Sequence, residues 1–133
     1  MKRVRSTITV PCRAPALHEV GDLVRKSLHA VGLPAERKEL IRECVEETLG
    51  SMIRFSDHKG YAHDISVTTD VDGERFRVVF AEGKNDFEVG AGSDLAGDAT
   101  YRMGTALARR VMTEISYTYK KGARNELELV HRL

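Results

Sequence analysis

The stretch from Glu39 to Phe55 carries apolar pairs at every fourth position, and this spacing constrains the fold more than any other feature. The pairs are Leu40–Ile41, Cys44–Val45, Thr48–Leu49 and Met52–Ile53. Because residues four apart share one face of an α-helix, the pattern predicts a central helix with a continuous buried stripe. A second row at the same spacing, Glu43, Glu47, Ser51 and Phe55, would lie along one edge of the helix. Such an edge can face a nucleotide cleft, but ordinary amphipathic helices have one too.

Length and composition indicate one ordinary globular domain spanning residues 1–133. Hydrophobic residues make up 41% and charged residues 31%, so the chain can bury a core without disulfides or metals. The formal net charge is only +1, which argues against a nucleic-acid partner, because nucleic-acid-binding domains are usually strongly basic. No apolar run approaches the length of a membrane span, and the N-terminus lacks the apolar core of a signal peptide. We therefore expect a cytoplasmic protein that does not bind a membrane.

The cysteines and histidines predict neither a disulfide framework nor a metal site. Cys12 and Cys44 lie in a strand-like and a helical segment. One bridge between them is conceivable, but buried reduced thiols are the stronger expectation for a cytosolic protein. The five histidines show no spacing typical of metal ligands, so we expect no metal site.

Periodicity predicts the remaining elements. Alternation predicts strands at 3–10, 64–71, about 76–80 and 127–133, with a further strand beginning at Tyr117. Asp72-Gly73 predicts a tight turn that joins the second and third of these strands into a hairpin. Helical spacing predicts a helix over 15–31, the central helix over 34–56, and a third helix capped by Asp98. The third helix would turn five residues inward: Met103, Leu107, Val111, Met112 and Ile115.

Strands and helices are partly segregated along the chain, and this order predicts the fold class. We expect an α+β two-layer sandwich, with a mixed sheet of about five strands and three helices on one face. Residues 81–98 interrupt the pattern with glycines at 83, 90, 92 and 97. A loop of this length is either a functional lid or a floppy insertion, and both interpretations stay open.

Two runs of residues carry a family resemblance that covers about residues 5–133. The first is Glu47-Thr-Leu-Gly-Ser51 in the central helix. The second is Arg102-Met-Gly104-Thr-Ala-Leu-Ala-Arg109-Arg110, followed by a hairpin. With the order of elements, these runs resemble the Bergerat-fold (GHKL, histidine kinase-like) ATPase superfamily, and most of all its anti-sigma-factor serine kinases. The resemblance implies a histidine kinase-like ATPase domain.

The resemblance also implies roles for individual residues. Glu47 matches the general base that activates the attacking hydroxyl. Ser51 stands where the family has an asparagine that holds magnesium, and Ala81 where it has an aspartate that accepts a hydrogen bond from the adenine amino group. Glu82, next to Ala81, could take over that role. The remaining candidate cofactor-binding residues are Gly83, Asn85, Gly104 and Thr105.

The substitutions at positions 51 and 81 are expected to weaken one shared nucleotide cleft. A hydroxyl is a poorer ligand for magnesium than an amide carbonyl, and alanine accepts no hydrogen bond. Leaving a buried polar group unpaired costs about 1–3 kcal/mol, whereas micromolar affinity amounts to only about 8 kcal/mol. We therefore predict no firm cofactor, with weak or absent binding of ATP and magnesium.

Two functions follow from the resemblance. The first is an anti-sigma-factor-like regulator that binds a protein partner, a sigma factor or an anti-sigma antagonist, without turnover; pairing with a second copy is also open. The second is an active ATP-dependent protein serine kinase. The residues alone allow simpler explanations, since Glu47 can be a solvated carboxylate, Ser51 a small packing residue and the glycines turn formers.

Overall fold

The structure, a computed structural model, describes residues 2–59, 63–82, 107–119 and 125–133. Within these residues there are five strands, two long helices and residues 107–111 of a third helix. The strands are β1 (Val4–Pro11), β2 (Asp64–Val71), β3 (Arg75–Glu82), β4 (Glu114–Tyr119) and β5 (Asn125–Arg132). The helices are α1 (Ala16–Leu28), α2 (Ala35–Lys59) and α3 (107–111). None of the described helices is long and apolar enough to span a membrane.

The five strands form one sheet in the order β1-β2-β3-β5-β4. This confirms the predicted two-layer α+β sandwich. The predicted mixed sheet is wrong in one respect, because all four strand pairings are antiparallel. The reason lies between β1 and β2. Two helices there cross the sheet one after the other, so the chain re-enters the sheet at the end where β1 finished and runs in the opposite direction.

The hydrophobic core lies between the helices and one face of the sheet. The predicted stripe of α2 is buried at Ile41, Val45 and Leu49, and it packs over strand residues such as Val67 and Phe80. This side of the sheet takes every second residue of β2 and β3, as strand alternation requires. One member of the predicted stripe differs. Leu40 is 39% exposed, because it lies at the margin of the apolar face.

The hairpin β2–β3 is confirmed, and its turn is held by Asp72. The Asp72 carboxylate accepts hydrogen bonds from the backbone N–H groups of Glu74 and Arg75, at 2.7 and 2.9 Å. These two bonds lower the pKa of Asp72. The Asp72 side chain therefore stabilises the tight turn that Asp72-Gly73 predicts.

The third helix is shorter at its C-terminal end than predicted. Its last helical residue is Val111, and Thr113 N–H already donates to Val130 O at 2.6 Å, so that Ile115 belongs to β4. His131 secures this junction, because its Nδ1 lies 2.7 Å from Val111 O. Sheet pairing with β5 thus takes over the residues that helical periodicity assigned to α3.

The opposite face of the sheet is polar and crossed by ion pairs. Arg3 donates to both carboxylate oxygens of Asp70, at 2.9 and 2.6 Å. Arg77 reaches Asp70 at 3.7 Å and also pairs with Glu128. The hydrogen bond from Arg3 lowers the pKa of Asp70, and the charges of Arg3 and Arg77 act in the same direction. No helix contact is needed to satisfy this carboxylate.

Candidate functional site

The edge of α2 that the sequence singled out is joined by one arginine. Arg54 Nη2 lies 3.3 Å from Glu47 Oε1 and 3.3 Å from Ser51 Oγ. Ser51 is buried at 1% exposure, whereas the Glu47 side chain is 39% exposed. The positions of Glu47, Ser51 and Arg54 follow from helical spacing, because residues three, four and seven apart share one side of an α-helix. The guanidinium therefore spans the proposed base and the proposed magnesium position.

Arg54 and Glu47 also line a concavity of about 410 Å³ on the outer side of α2, here called the α2 hollow. Its described lining residues are Leu17, Arg42, Glu43, Glu46, Glu47, Gly50, Arg54 and Leu107. Three carboxylates face two guanidinium groups there, so the described lining is slightly acidic. Arg42 is engaged by its neighbours, since it pairs with Glu46 and lies 2.7 Å from Glu39.

Glycine at position 50 leaves space for Arg54 against the helix. A Cβ atom at this position would lie 3.3 Å from Arg54 Nη1 and 3.9 Å from Leu17 Cδ2. The absence of a side chain therefore lets the guanidinium lie close to the helix surface between Glu47 and Ser51. The sequence pattern predicts no role for Gly50, because a glycine within a helical repeat gives no sign of a close side-chain contact.

The two proposed nucleotide contacts do not face one cavity. Ala81 pairs with Ser66, and strand alternation places its side chain on the sheet face opposite the one that α2 covers. Glu82 and Phe80 point to the α2 side instead. The expectation that positions 51 and 81 share a cleft is therefore wrong, because a shift of one residue along a strand reverses the face. Glu82 is the carboxylate that lies beneath the helices.

Four of the predicted cofactor-binding residues, Gly83, Asn85, Gly104 and Thr105, lie outside the described residues. The same holds for the predicted loop from residue 83 onward and for the Asp98 cap. Of the candidate site residues, the structure thus places Glu47 and Ser51, and it brings these two together through Arg54.

A second cluster lies at the end of β1, β2 and β3. Donor atoms of Cys12, His63 and Glu82 all lie within 4.8 Å of one another. The His63 side chain is 5% exposed and that of Glu82 is 1% exposed, with His63 Nε2 and Glu82 Oε1 3.4 Å apart. Cys12 Sγ also lies 3.7 Å from the hydroxyl of Ser56, which is fully buried on α2. A thiol, an imidazole and a carboxylate thus meet beneath the last turns of the central helix.

The surroundings of His63 favour its charged form. Burial by itself lowers the pKa of the imidazole, but hydrogen bonds to Cys12 and Glu82, and the charges of these groups, outweigh it and raise the pKa to about 10. At neutral pH this cluster therefore contains an imidazolium beside a buried carboxylate.

Sequence reasoning missed this cluster because its members are far apart along the chain. His63 and Glu82 are 19 positions apart, and Cys12 lies just after β1, far from both along the chain. The one available signal is strand register. Each residue lies within two positions of the end of a predicted strand, and Cys12 N–H donates to His63 O at 2.9 Å.

Cys12 and Cys44 are both free thiols, which confirms the expectation of buried reduced cysteines. Their surroundings differ. Burial raises the pKa of the Cys44 thiol to about 12, and a hydrogen bond with Thr48 lowers it only partly. Cys44 is thus an apolar core residue, while Cys12 lies beside His63.

No protein-family model matches the sequence, and no curated protein sequence matches it. The fold does have a counterpart among solved structures. It is similar to a chain in the crystal structure of the SiaB–SiaC complex from Pseudomonas aeruginosa, with a TM-score of 0.65 and 16% sequence identity. The match covers 94% of this chain and 88% of that chain. At this level of identity the likeness shows a shared fold.

Proposed function

We propose that this protein is an anti-sigma-factor-like regulator, which binds a protein partner on a kinase-like ATPase fold and binds ATP weakly or not at all. The observation that carries the proposal is the position of Arg54. Its guanidinium contacts both Glu47 and Ser51, the residues that the family resemblance assigns to the general base and the magnesium position. The partner that the resemblance indicates is a sigma factor or an anti-sigma antagonist.

The positive charge of Arg54 disfavours the binding of magnesium between Glu47 and Ser51. Magnesium requires a near-octahedral set of oxygen ligands at about 2.0–2.1 Å. The Arg54 guanidinium places a positive charge within 3.3 Å of both Glu47 and Ser51. A magnesium ion between Glu47 and Ser51 would have to displace the guanidinium or accept its repulsion. The substitution of the family's asparagine by Ser51 removes the amide oxygen that could compensate.

The charge of the α2 hollow also opposes a nucleotide. Its volume of about 410 Å³ lies within the usual range of small-molecule sites, about 300–1,000 Å³, so size does not decide the question. The three glutamates and two arginines of the described lining leave a slight negative excess, which disfavours a strongly negative triphosphate. A slightly acidic hollow beside exposed glutamates suits a basic segment of a protein partner better than a triphosphate.

The fold comparison is consistent with this proposal, since the similar chain was solved in a complex of two proteins. That complex says nothing of the partner for this chain. The choice of partner class rests on the motif resemblance in the central helix and in the C-terminal third.

The first experiment measures nucleotide binding by isothermal titration calorimetry, with Mg-ATP and Mg-ADP on the full chain. We expect no magnesium-dependent binding at micromolar nucleotide. A second protein with Ser51→Asn and Arg54→Ala restores the family's amide and removes the guanidinium, and it should gain magnesium-dependent affinity. Tight, magnesium-dependent binding by the unmodified protein would contradict the proposal.

The second experiment tests the partner. Purified sigma factors and anti-sigma antagonists from the same genome are titrated against the chain, and one of them should bind with micromolar affinity or better. The charge reversals Glu43→Lys and Glu47→Lys should weaken that binding by about tenfold or more. Asp57→Lys is the matched control, because Asp57 is an exposed acid on the same helix that does not line the α2 hollow. Equal losses in all three variants would argue against a surface at the hollow.

One observation favours the alternative, an active protein serine kinase. The Glu47 carboxylate remains 39% exposed and lines the α2 hollow, as a general base must in order to reach a substrate hydroxyl. Incubation with labelled ATP and a candidate antagonist separates the two functions. Phosphate transfer that Glu47→Ala abolishes and Asp57→Ala leaves intact would establish the kinase.

A further inference from the structure

The cluster of Cys12, His63 and Glu82 takes no part in the proposed function, and its chemistry points elsewhere. We propose that these three side chains form a Zn²⁺ site, with water in the fourth coordination position. Thiolate sulfur, imidazole nitrogen and carboxylate oxygen are the three donor types that zinc uses in proteins, and three protein ligands plus water is a common arrangement. The three donor atoms already lie within 4.8 Å of one another.

The geometry of the cluster fits a tetrahedral ion. His63 Nε2 and Glu82 Oε1 are 3.4 Å apart, which is longer than the usual N–H···O hydrogen bond of about 2.9–3.0 Å. Zn–N and Zn–O bonds of about 2.0–2.1 Å separate two tetrahedral ligands by about 3.3 Å. A sulfur ligand would lie about 3.6 Å from each of them. Because the observed donors lie within 4.8 Å, a side-chain shift of about 1 Å completes the site.

The backbone already holds the three ligands in place. Cys12 and His63 are linked by the 2.9 Å hydrogen bond between their main chains, and Glu82 pairs with Ile65, two residues beyond His63. All three side chains therefore leave the sheet on the same side. The Ser56 hydroxyl, 3.7 Å from Cys12 Sγ, is placed to donate a hydrogen bond to a zinc-bound thiolate.

The three donors also match the charge of the ion. Zn²⁺ bound by a thiolate, a neutral imidazole and a carboxylate forms a site with no net charge, which suits a buried position where an uncompensated charge is costly. Binding of the metal releases the protons that its ligands carry.

The experiment uses the full chain after removal of metals with a chelator. Zn²⁺ is titrated by calorimetry and Co²⁺ by absorption spectroscopy. We expect one Zn²⁺ per chain with a Kd in the micromolar range or below, and a thiolate-to-cobalt charge-transfer band with the intense visible bands of a tetrahedral site. A hundredfold excess of Zn²⁺ over Kd should raise Tm by about 5 °C or more.

Three variants assign the site. Cys12→Ser should abolish the charge-transfer band and weaken Zn²⁺ binding about 100-fold or more, and Glu82→Gln should weaken it by at least about tenfold. Cys44→Ala is the matched control, because Cys44 is the other buried thiol, and it should keep both the band and the affinity. Circular dichroism establishes that each variant is folded. Absence of Zn²⁺ uptake at tens of micromolar, or loss of the band in Cys44→Ala alone, would overturn the proposal.

Discussion

The two clusters beneath and beside α2 combine similar groups in opposite ways. On the helix edge, Glu47 and Ser51 are contacted by the protein's own cation, Arg54, and all three residues belong to one helix. At the strand ends, Cys12 follows β1, His63 precedes β2 and Glu82 ends β3, and all three side chains are almost fully buried. The family resemblance indicated the first cluster, where the guanidinium of Arg54 contacts both Glu47 and Ser51. The second cluster holds the stronger metal donors, and no motif pointed to it.

The two clusters should also contribute differently to the stability of the protein. The contacts of Arg54 are local and half-exposed, so solvent screens them and they add little to the free energy of folding. The contacts of His63 and Glu82 are long-range and buried, so they exist only when the sheet is in register. Disrupting the buried cluster should therefore lower the free energy of unfolding far more than disrupting the contacts on the helix edge.

The largest expected effect is that of Glu82→Gln. The change leaves the His63 imidazolium without its buried carboxylate, and breaking a buried ion pair by removing one partner costs about 3–5 kcal/mol. We expect the free energy of unfolding, measured in urea at neutral pH, to fall by about 3 kcal/mol. This is the lower end of the range, because His63 can give up its proton when the carboxylate is removed. Glu114→Gln is the control, since Glu114 is a 49% exposed carboxylate on β4 that pairs with exposed Arg132. Equal small losses in both variants would remove the contrast between the clusters.

An intermediate effect is expected for Asp70→Asn, a carboxylate that has arginine partners instead of a histidine. The Asp70 side chain is 7% exposed, but that of Arg3 is 61% exposed, so the loss at neutral pH should fall at about 1–2 kcal/mol. The arginine lowers the pKa of Asp70, so its contribution is full above the unfolded pKa of about 3.9 and is lost as pH falls through the lower folded pKa.

Urea denaturation at pH 7 and near pH 3 measures this dependence. The gap in free energy of unfolding between the original protein and Asp70→Asn should narrow at the lower pH. Arg3→Ala completes a double-mutant cycle, and the double variant should lose less than the sum of the two single changes. If the difference in free energy of unfolding does not change with pH, the charge of the Asp70 carboxylate contributes nothing to stability.

Much of the fold could be predicted from the sequence because local patterns determine it. The stripe of α2, the hairpin with its Asp72 turn and the five-strand count all follow from periodicity and turn chemistry. The end of α3 could not be predicted, since Ile115 fits both a helical pattern and a strand pattern, and pairing with Leu129 decides between them.

The same limit on prediction applies to the candidate site, where strand register decides which side chains come together. The association of Glu47 with Ser51 could be predicted because it depends on the 3.6-residue period of one helix. The face of Ala81 could not, since it depends on strand register, and one position separates it from Glu82. The cluster of Cys12, His63 and Glu82 needs the registers of two strand pairs at once. A single sequence does not fix these registers.

The smallest expected effect, on stability, is that of Arg54→Ala. Its side chain is 49% exposed and its two contacts, at 3.3 Å, are long, so the free energy of unfolding should change by less than about 0.5 kcal/mol. Arg42→Ala should cost about 1 kcal/mol, because Arg42 is only 16% exposed and contacts Glu39 and Glu46 on the same helix. Arg13→Ala is a control for the loss of one exposed positive charge.

The small effect of Arg54→Ala on stability makes the variant informative about function. If the guanidinium blocks a cation position, Arg54→Ala should bind Mg²⁺ more tightly than the original protein, as measured by calorimetry, while Arg13→Ala should not. If Arg54 instead grips a phosphate in an active kinase, its removal should weaken nucleotide binding. The two outcomes have opposite signs in a protein that is otherwise unchanged. The sign of the change in binding therefore distinguishes the proposed regulator, which binds ATP weakly or not at all, from the alternative, an active protein serine kinase.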